Sequence, residues 1–405
     1  MTVGMCETSR WRWGWCRAAV LSLFCLSHPA HPLQASGDKP AVTAPAPRSR
    51  GMSYLHDIVE EEPWSIHVLK IDRSRTDYEF HTTLAKGSAL GLSTLSEQIK
   101  SLPREFGQPL GAVNGDFWKD GRQYDGDPTG LQIHDGELVS GPCARACFWI
   151  DPSGQPHATN VLAQFELISP EGLHVAFGLN EERTNGGAVL FTPTFGTSTH
   201  TRGGRELVLE PEGHHPAEWL PLRSGHTYSA RIREIRETGD TPLEPGRAVL
   251  SLSSQVSERL SRLVVHSVLK FTLGTTPDLR GVKTAIGGGP MLVRAGKAVV
   301  FTGSQPRHPR TALGWNDRYF FLVVVDGRQS GLSVGMSFPE LSTYLLKIGC
   351  TEAINLDGGG SSTFWVRGQV MNSPCQGSER PMANALVLVQ KPKNTGAPRP
   401  PLLQP

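Results

Sequence analysis

The sequence predicts an α+β fold with a mixed β-sheet core, and three observations carry that expectation. Glycine (44) and proline (31) are abundant among the 405 residues, which favours a turn-rich, strand-rich chain over a helical bundle. Residues 151–280 break into short apolar segments ("ATNVLAQFELI", "AVLFTP", "ELVLEP", "AVLSLS", "SVLKFTL") separated by Gly, Pro, Asn and Asp clusters, the signature of successive strands. The last third reads as strand–helix–strand: "YFFLVVVDG", then "SFPELSTYLLKIG", then "TEAINLD".

The elements follow in chain order. Arg10, Arg12 and Arg17 precede the apolar run "AAVLSLFCL", and "PLQAS" offers a small-residue cleavage point, so residues 1–35 read as a signal peptide, too short to span a membrane. Residues 36–53 read as a flexible linker and 392–405 as a Pro-rich disordered tail, leaving a folded region over 54–391. Export to the periplasm or cell exterior is the expectation, with no membrane span once the leader is removed. A formal net charge of +2 gives no support for nucleic-acid wrapping or a polybasic membrane surface.

Within the folded region, "WSIHVLKID" alternates as a strand does, "TLSEQIKSL" is a short helix and "PLGAV" a strand that runs into the turn "NGDFW". In "SFPELSTYLLKIG", Ser337 and Glu340 form a capping-box pattern with Pro339 in the first turn. Leu341, Leu345 and Ile348 share one face of that helix, and Gly349 closes it. A helix between two strands implies a right-handed crossover and parallel strands. Asp326 and Asp357 each follow the last apolar residue of such a strand, so both carboxylates are expected at one sheet edge, where α/β sheets place their sites. At one or two strand spacings, roughly 4.8 Å or twice that, they suit the two sides of a glycosidic bond.

Gly-rich turns surround that edge. Gly358, Gly359 and Gly360 allow close backbone approach, and their amides, with the hydroxyls of Ser361 and Ser362, suit an anion such as phosphate. A second triplet contributes Gly288 and Gly289. Arg310 and Arg328 offer planar guanidinium forks for phosphate, and Glu379 stands beside Arg380 just before the final strand. "NGDFWKDGRQYDGDPTG" holds Asn114, Asp116, Asp120, Asp125 and Asp127, which suit sugar hydroxyls, acid–base work or Ca²⁺ or another divalent ion, though the spacing is not that of an EF-hand. Phe117, Trp118 and Trp365 can stack on a sugar or fill core. Outside the leader the cysteines are Cys143, Cys147, Cys350 and Cys375; an even number in an exported chain permits the pairs 143–147 and 350–375, with buried free thiols as the alternative. No G-x-S-x-G elbow, P-loop or zinc-protease spacing is present.

The ordered set "AVNGDFW", "GGGPMLV", "HPRTALG", "LVVVDGRQSGLS" and "AINLDGGGSSTFWVRGQVMNSP…ERPMANALVLV" resembles the phosphodiester glycosidase family over about residues 55–391, most strongly from 284 onward. The resemblance implies an exported α+β hydrolase acting on a sugar-1-phosphodiester, and it draws in Asn114, Asp116, Arg310, Asp326, Arg328, Asp357, Ser361 and Glu379. The expected chemistry is cleavage of the sugar C1–O bond, with Asp357 as base or nucleophile and Asp326 as its partner. The rivals are a glycan-binding assembly factor of the cell envelope and a phosphodiesterase that cuts P–O.

Overall fold

The computed structural model describes residues 51–120, 124–213 and 219–392. The expected signal peptide, most of the linker and most of the tail lie outside the described residues. The first strand, Met52–Val59, already begins inside the stretch read as linker.

Among the described residues, four sheets make up the fold. In the seven-stranded sheet the order is Met52–Val59, Trp64–Asp72, Tyr319–Val325, Arg310–Trp315, Glu352–Asn355, Met291–Arg294 and Lys297–Ala298. Every pairing in it is antiparallel, which corrects the expectation of a mixed sheet built on parallel neighbours. Tyr319–Val325 and Glu352–Asn355 do not pair with each other. Arg310–Trp315 stands between them, antiparallel to both, so the two still point the same way. Apolar runs report burial on both faces, and a central antiparallel strand covered on both sides satisfies that pattern equally well.

Tyr319–Val325 shows how the cover works. Phe320, Leu322 and Val324 pack into one core with Phe80, Leu110, Phe148 and Phe364, whereas Phe321, Val323 and Val325 pack into another against the helix Phe338–Lys347. That helix starts as the sequence predicts: Ser337 and Glu340 exchange cap hydrogen bonds, and Leu341 and Leu345 are its buried face. Gly349 follows at φ +97°, a conformation open to residues without a β-carbon. The helix Leu95–Lys100 carries the same capping box, Thr94 with Glu97.

Two five-stranded antiparallel sheets oppose the seven-stranded one. The first contains Gln108–Asn114 at its centre, flanked by Phe364–Val366 and Ala385–Gln390. The second is centred on Thr284–Gly287, between Gln132–His134 and Ala146–Ile150. The strand-rich middle segment forms an eight-stranded sheet, antiparallel but for Gly178–Leu179 beside Ala188–Phe191, and it packs on the second five-stranded sheet through Leu131, Ile133, Trp149, Phe165 and Phe271. No described helix is long and apolar enough to cross a membrane.

All four cysteines outside the leader are free thiols, which corrects the expected disulfides. Cys147 and Cys350 are buried in two different cores, Cys143 is exposed, and the Cys375 thiol lies against the Gly359 carbonyl. Burial pushes the Cys147 thiol well above its ordinary value and Cys350 up to about 12, as suits packing groups.

Candidate active site

The ends of Gln108–Asn114, Thr284–Gly287, Tyr319–Val325 and Glu352–Asn355 meet at one rim, and backbone hydrogen bonds fix how. Asp357 N donates to the Gly115 carbonyl at 2.9 Å, so two loops that carry acids are laced together. Asn114 is buried behind the seam: its Nδ2 donates to the Asp357 carbonyl at 2.6 Å, while its Oδ1 accepts from Thr311 Oγ1 at 2.6 Å and from Thr363 N at 3.2 Å. With both ends engaged and the side chain buried, Asn114 positions Asp357 rather than facing a sugar hydroxyl.

Asp357 is half-buried at the rim and accepts from Gly358 N at 2.8 Å. Burial raises its pKa, and the nearby Ser361 hydroxyl, the Gly358 amide, Arg380 and Arg145 hold that rise in check. Ser361 Oγ is itself buried without a full hydrogen bond.

The carboxyl group beside Asp357 is Asp116. It is 2% exposed, with Oδ2 accepting from Gly130 N and Oδ1 from Phe117 N, each at 2.8 Å. Its own amide donates to Asn384 Oδ1 at 2.8 Å. Burial pushes Asp116 up to about 7, and the Asp357 charge adds to that rise. Two glycines make room for the acid: a β-carbon at Gly287 would lie 2.2 Å from Asp116 Oδ2, and one at Gly130 would lie 2.8 Å from it. Gly288 and Gly289 serve the seam instead. A β-carbon at Gly288 would lie 2.6 Å from the Asn355 carbonyl, and Gly289 N donates to that same oxygen at 2.7 Å.

Asp326, expected as the partner of Asp357, is turned inward and fully engaged. Its Oδ2 accepts from Ser65 Oγ at 2.8 Å and pairs with His67 Nε2 at 3.0 Å. Its Oδ1 accepts from Asn372 Nδ2 at 3.1 Å and Ser373 N at 2.9 Å. The strand pattern places the residue on the rim, but it does not say which way the side chain rotates. Asp326→Asn is expected to lower unfolding free energy by roughly 3 kcal/mol, because it sets an amide against four donors in the interior. Denaturant titration measures this, and at low temperature the variant should keep activity within about tenfold of wild type. Normal stability with abolished turnover would return Asp326 to the reacting centre.

The other expected residues divide in the same way. Glu379 accepts from Ser96 N at 3.1 Å in the first turn of the helix Leu95–Lys100, so it serves a helix end rather than the reaction. The amides of Gly358, Gly359, Ser361 and Ser362 are taken up by Asp357, the Pro309 carbonyl and the turn itself, which corrects the expectation of an open amide cradle. Ser362 Oγ is buried and accepts from Thr311 Oγ1 at 3.3 Å. Trp365 is core. Of the acids in the Gly/Asp-rich loop, Asp127 is buried 3.7 Å from Lys119 Nζ, and among the described residues no three His, Cys, Asp or Glu side chains converge as a metal cage.

A profile of the phosphodiester glycosidase family matches residues 226–389. That segment belongs to the phosphodiester glycosidase family. It holds Asp357, Arg310, Arg328 and Arg380, whereas Asp116 and Arg145 precede it. A Bacillus subtilis relative, the SPbeta prophage-derived uncharacterized protein YomE, is 37% identical over 83 residues, which is 20% of this chain and 13% of that protein. The chain thus spans only a small part of that relative. A hypothetical protein from Synechocystis aligns with TM-score 0.67 at 18% identity over 84% of this chain and 62% of its own length, just under two thirds. A Burkholderia pseudomallei protein described only as a candidate exported protein aligns with TM-score 0.62 at 23% identity over 80% of this chain and 74% of its own. At these identities the structural likenesses establish the fold alone.

Around this rim, positive charge surrounds the acids. Arg328 is exposed, at φ +60°, with Nη2 3.2 Å from His308 Nδ1. Arg310 is buried, donating Nε to the Met336 carbonyl and Nη2 to that of Pro306, each at 2.8 Å, with its guanidinium 4.1 Å from the Phe338 ring centre. Burial and the Arg328 charge bring Arg310 down to about 10, and burial with both arginines lowers His308. Arg380, already noted in the sequence beside Glu379, lies 4.6 Å from the Trp118 ring centre, and Arg145, which no sequence pattern marks, lies 4.7 Å from that of Phe117. Among the described residues none of these four arginines forms an ion pair with a carboxylate.

Proposed function

We propose that the chain is an exported hydrolase that cleaves the C1–O bond of a glycosyl-1-phosphodiester, with an N-acetylglucosamine-like sugar, releasing free sugar and a phosphomonoester. The observation that carries this reading is the juxtaposition at one rim of the half-buried Asp357, the buried Asp116 and arginines that, among the described residues, form no ion pair with a carboxylate. Arginines left unpaired beside a cleft suit an anionic ligand, and a phosphate leaves well once its charge is met. Arg328, backed by Arg310 and His308, takes the phosphate. Asp357 removes a proton from the attacking water, whose oxygen joins C1 as the C1–O bond breaks and its electron pair departs on the phosphate oxygen. Asp116, sealed from solvent and held by Gly130 N and Phe117 N, acts as a positioning residue for the loop laced to Asp357. The family match of residues 226–389 supports the glycosidase reading over the binding-factor alternative, and export accords with the leader-like residues 1–35.

The test is a panel of glycosyl-1-phosphodiesters followed for sugar release in ¹⁸O-labelled water. Label in the sugar supports C1–O cleavage. Label in the phosphate would replace it with a phosphodiesterase, and binding without release of either product would replace it with a glycan-binding factor.

A further inference from the structure

The cations at the rim form two groups rather than one. A β-carbon at Gly359 would lie 3.2 Å from Arg328 Nη2, on the side where His308 and Arg310 stand. A β-carbon at the next residue, Gly360, would meet the Gln376 amide at 3.2–3.3 Å and Arg380 Cδ at 3.4 Å. The glycine turn is therefore straddled, with the Arg328 guanidinium against Gly359 and the aliphatic stem of Arg380 against Gly360, successive residues whose α-carbons are about 3.8 Å apart. Arg380 and Arg145 make the second group. They rest on Trp118 and Phe117, adjacent residues of the loop that holds Asp116, and they are the cations that act most strongly on Asp357.

A single phosphate diester carries one negative charge, and Arg328 with His308 suffices for it. Stacking on an aromatic face leaves the edges of a guanidinium free to donate, so the second pair is a prepared anion seat rather than a packing device. Resting on the glycosyl-phosphodiester reading above, we propose that the substrate carries two anionic groups. The diester phosphate sits at Arg328 and His308, and a further phosphate or carboxylate within the same sugar unit sits at Arg145 and Arg380. The substrate class is then a phosphodiester whose N-acetylglucosamine-like sugar bears a further phosphate or carboxylate. Neutral-sugar phosphodiesters would turn over, but with the second seat empty.

Calorimetric titration of the full chain with glucose 1-phosphate and with glucose 1,6-bisphosphate tests this without requiring turnover. The bisphosphate is expected to bind at least about tenfold more tightly, a preference that falls as salt is raised. Arg145→Gln and Arg380→Gln should each bring the ratio of the two affinities close to one, and Arg380→Lys should restore part of it. Thermal melting of each variant confirms that the fold is retained. Equal affinities in the wild-type protein would overturn the inference, as would variants that weaken both probes by the same factor, because the four arginines would then serve one anion. A bisphosphate preference in a protein that hydrolyses no glycosyl phosphodiester would defeat the proposed function and leave the double seat standing. Hydrolysis with no such preference would do the opposite.

Discussion

Asp357→Asn is expected to reduce turnover of a glycosyl-1-phosphodiester by about three orders of magnitude while leaving the melting temperature within a few degrees of wild type. The asymmetry follows from its setting. The side chain is half-buried and accepts a hydrogen bond from Gly358 N at 2.8 Å, which a neutral amide oxygen can also accept. What the substitution removes is the negative charge that accepts the water proton. A pH profile adds a second check. Asp357 has a raised pKa and works ionised, so wild-type rate climbs with pH through that value, whereas residual rate in the variant should be flat there. Full activity in Asp357→Asn would remove it from the chemistry altogether.

Gly287→Ala is expected to have the next largest effect, for a steric reason. The added methyl group would lie 2.2 Å from Asp116 Oδ2 and 2.7 Å from its Cγ, distances that no β-carbon tolerates. Asp116 cannot yield cheaply, because its two oxygens are held by Gly130 N and Phe117 N and its amide by Asn384. Moving it breaks buried hydrogen bonds and shifts the loop that carries Phe117 and Trp118. The expected outcome is a loss of kcat/KM of at least about a hundredfold, together with a clear drop in melting temperature. The matching control is Gly186→Ala, whose methyl group would meet only the flexible end of Gln255 at 3.2 Å and should be silent in activity. A Gly287→Ala enzyme of normal activity would show that Asp116 has no positioning role.

The fold was legible wherever one residue pattern has one physical reading. Capping boxes at Thr94 and Ser337 mark helix starts because only those side chains can satisfy the free amides of the first turn. The seven apolar residues from Tyr319 mark a central strand, but not the direction of its neighbours, since both kinds of ladder bury both faces alike. At the site, Asp357 and Asp116 stood out because glycines crowd around them, and glycine at a strand end usually means that something approaches closely. Asp326 carried the same strand-end signal, yet its carboxylate turned inward to Ser65 and His67, residues about 260 positions away in the chain. Such long-range partners leave no local trace. Arg145, lodged in "CARAC", carries no pattern of its own; only the stacking on Phe117 discloses it. An even number of cysteines permits pairing without bringing any two sulfurs within reach, and here all four stay free.

The seam between Asn114–Gly115 and Thr311, Asp357 and Asn384 closes loops of roughly 200 to 270 residues. Distant closures of this kind come late in folding, since the chain must surrender much freedom before they return any stability. During refolding, strand signals in circular dichroism should therefore recover before hydrolysis does. A collapsed intermediate of this chain would be well stocked with β-structure and still catalytically mute.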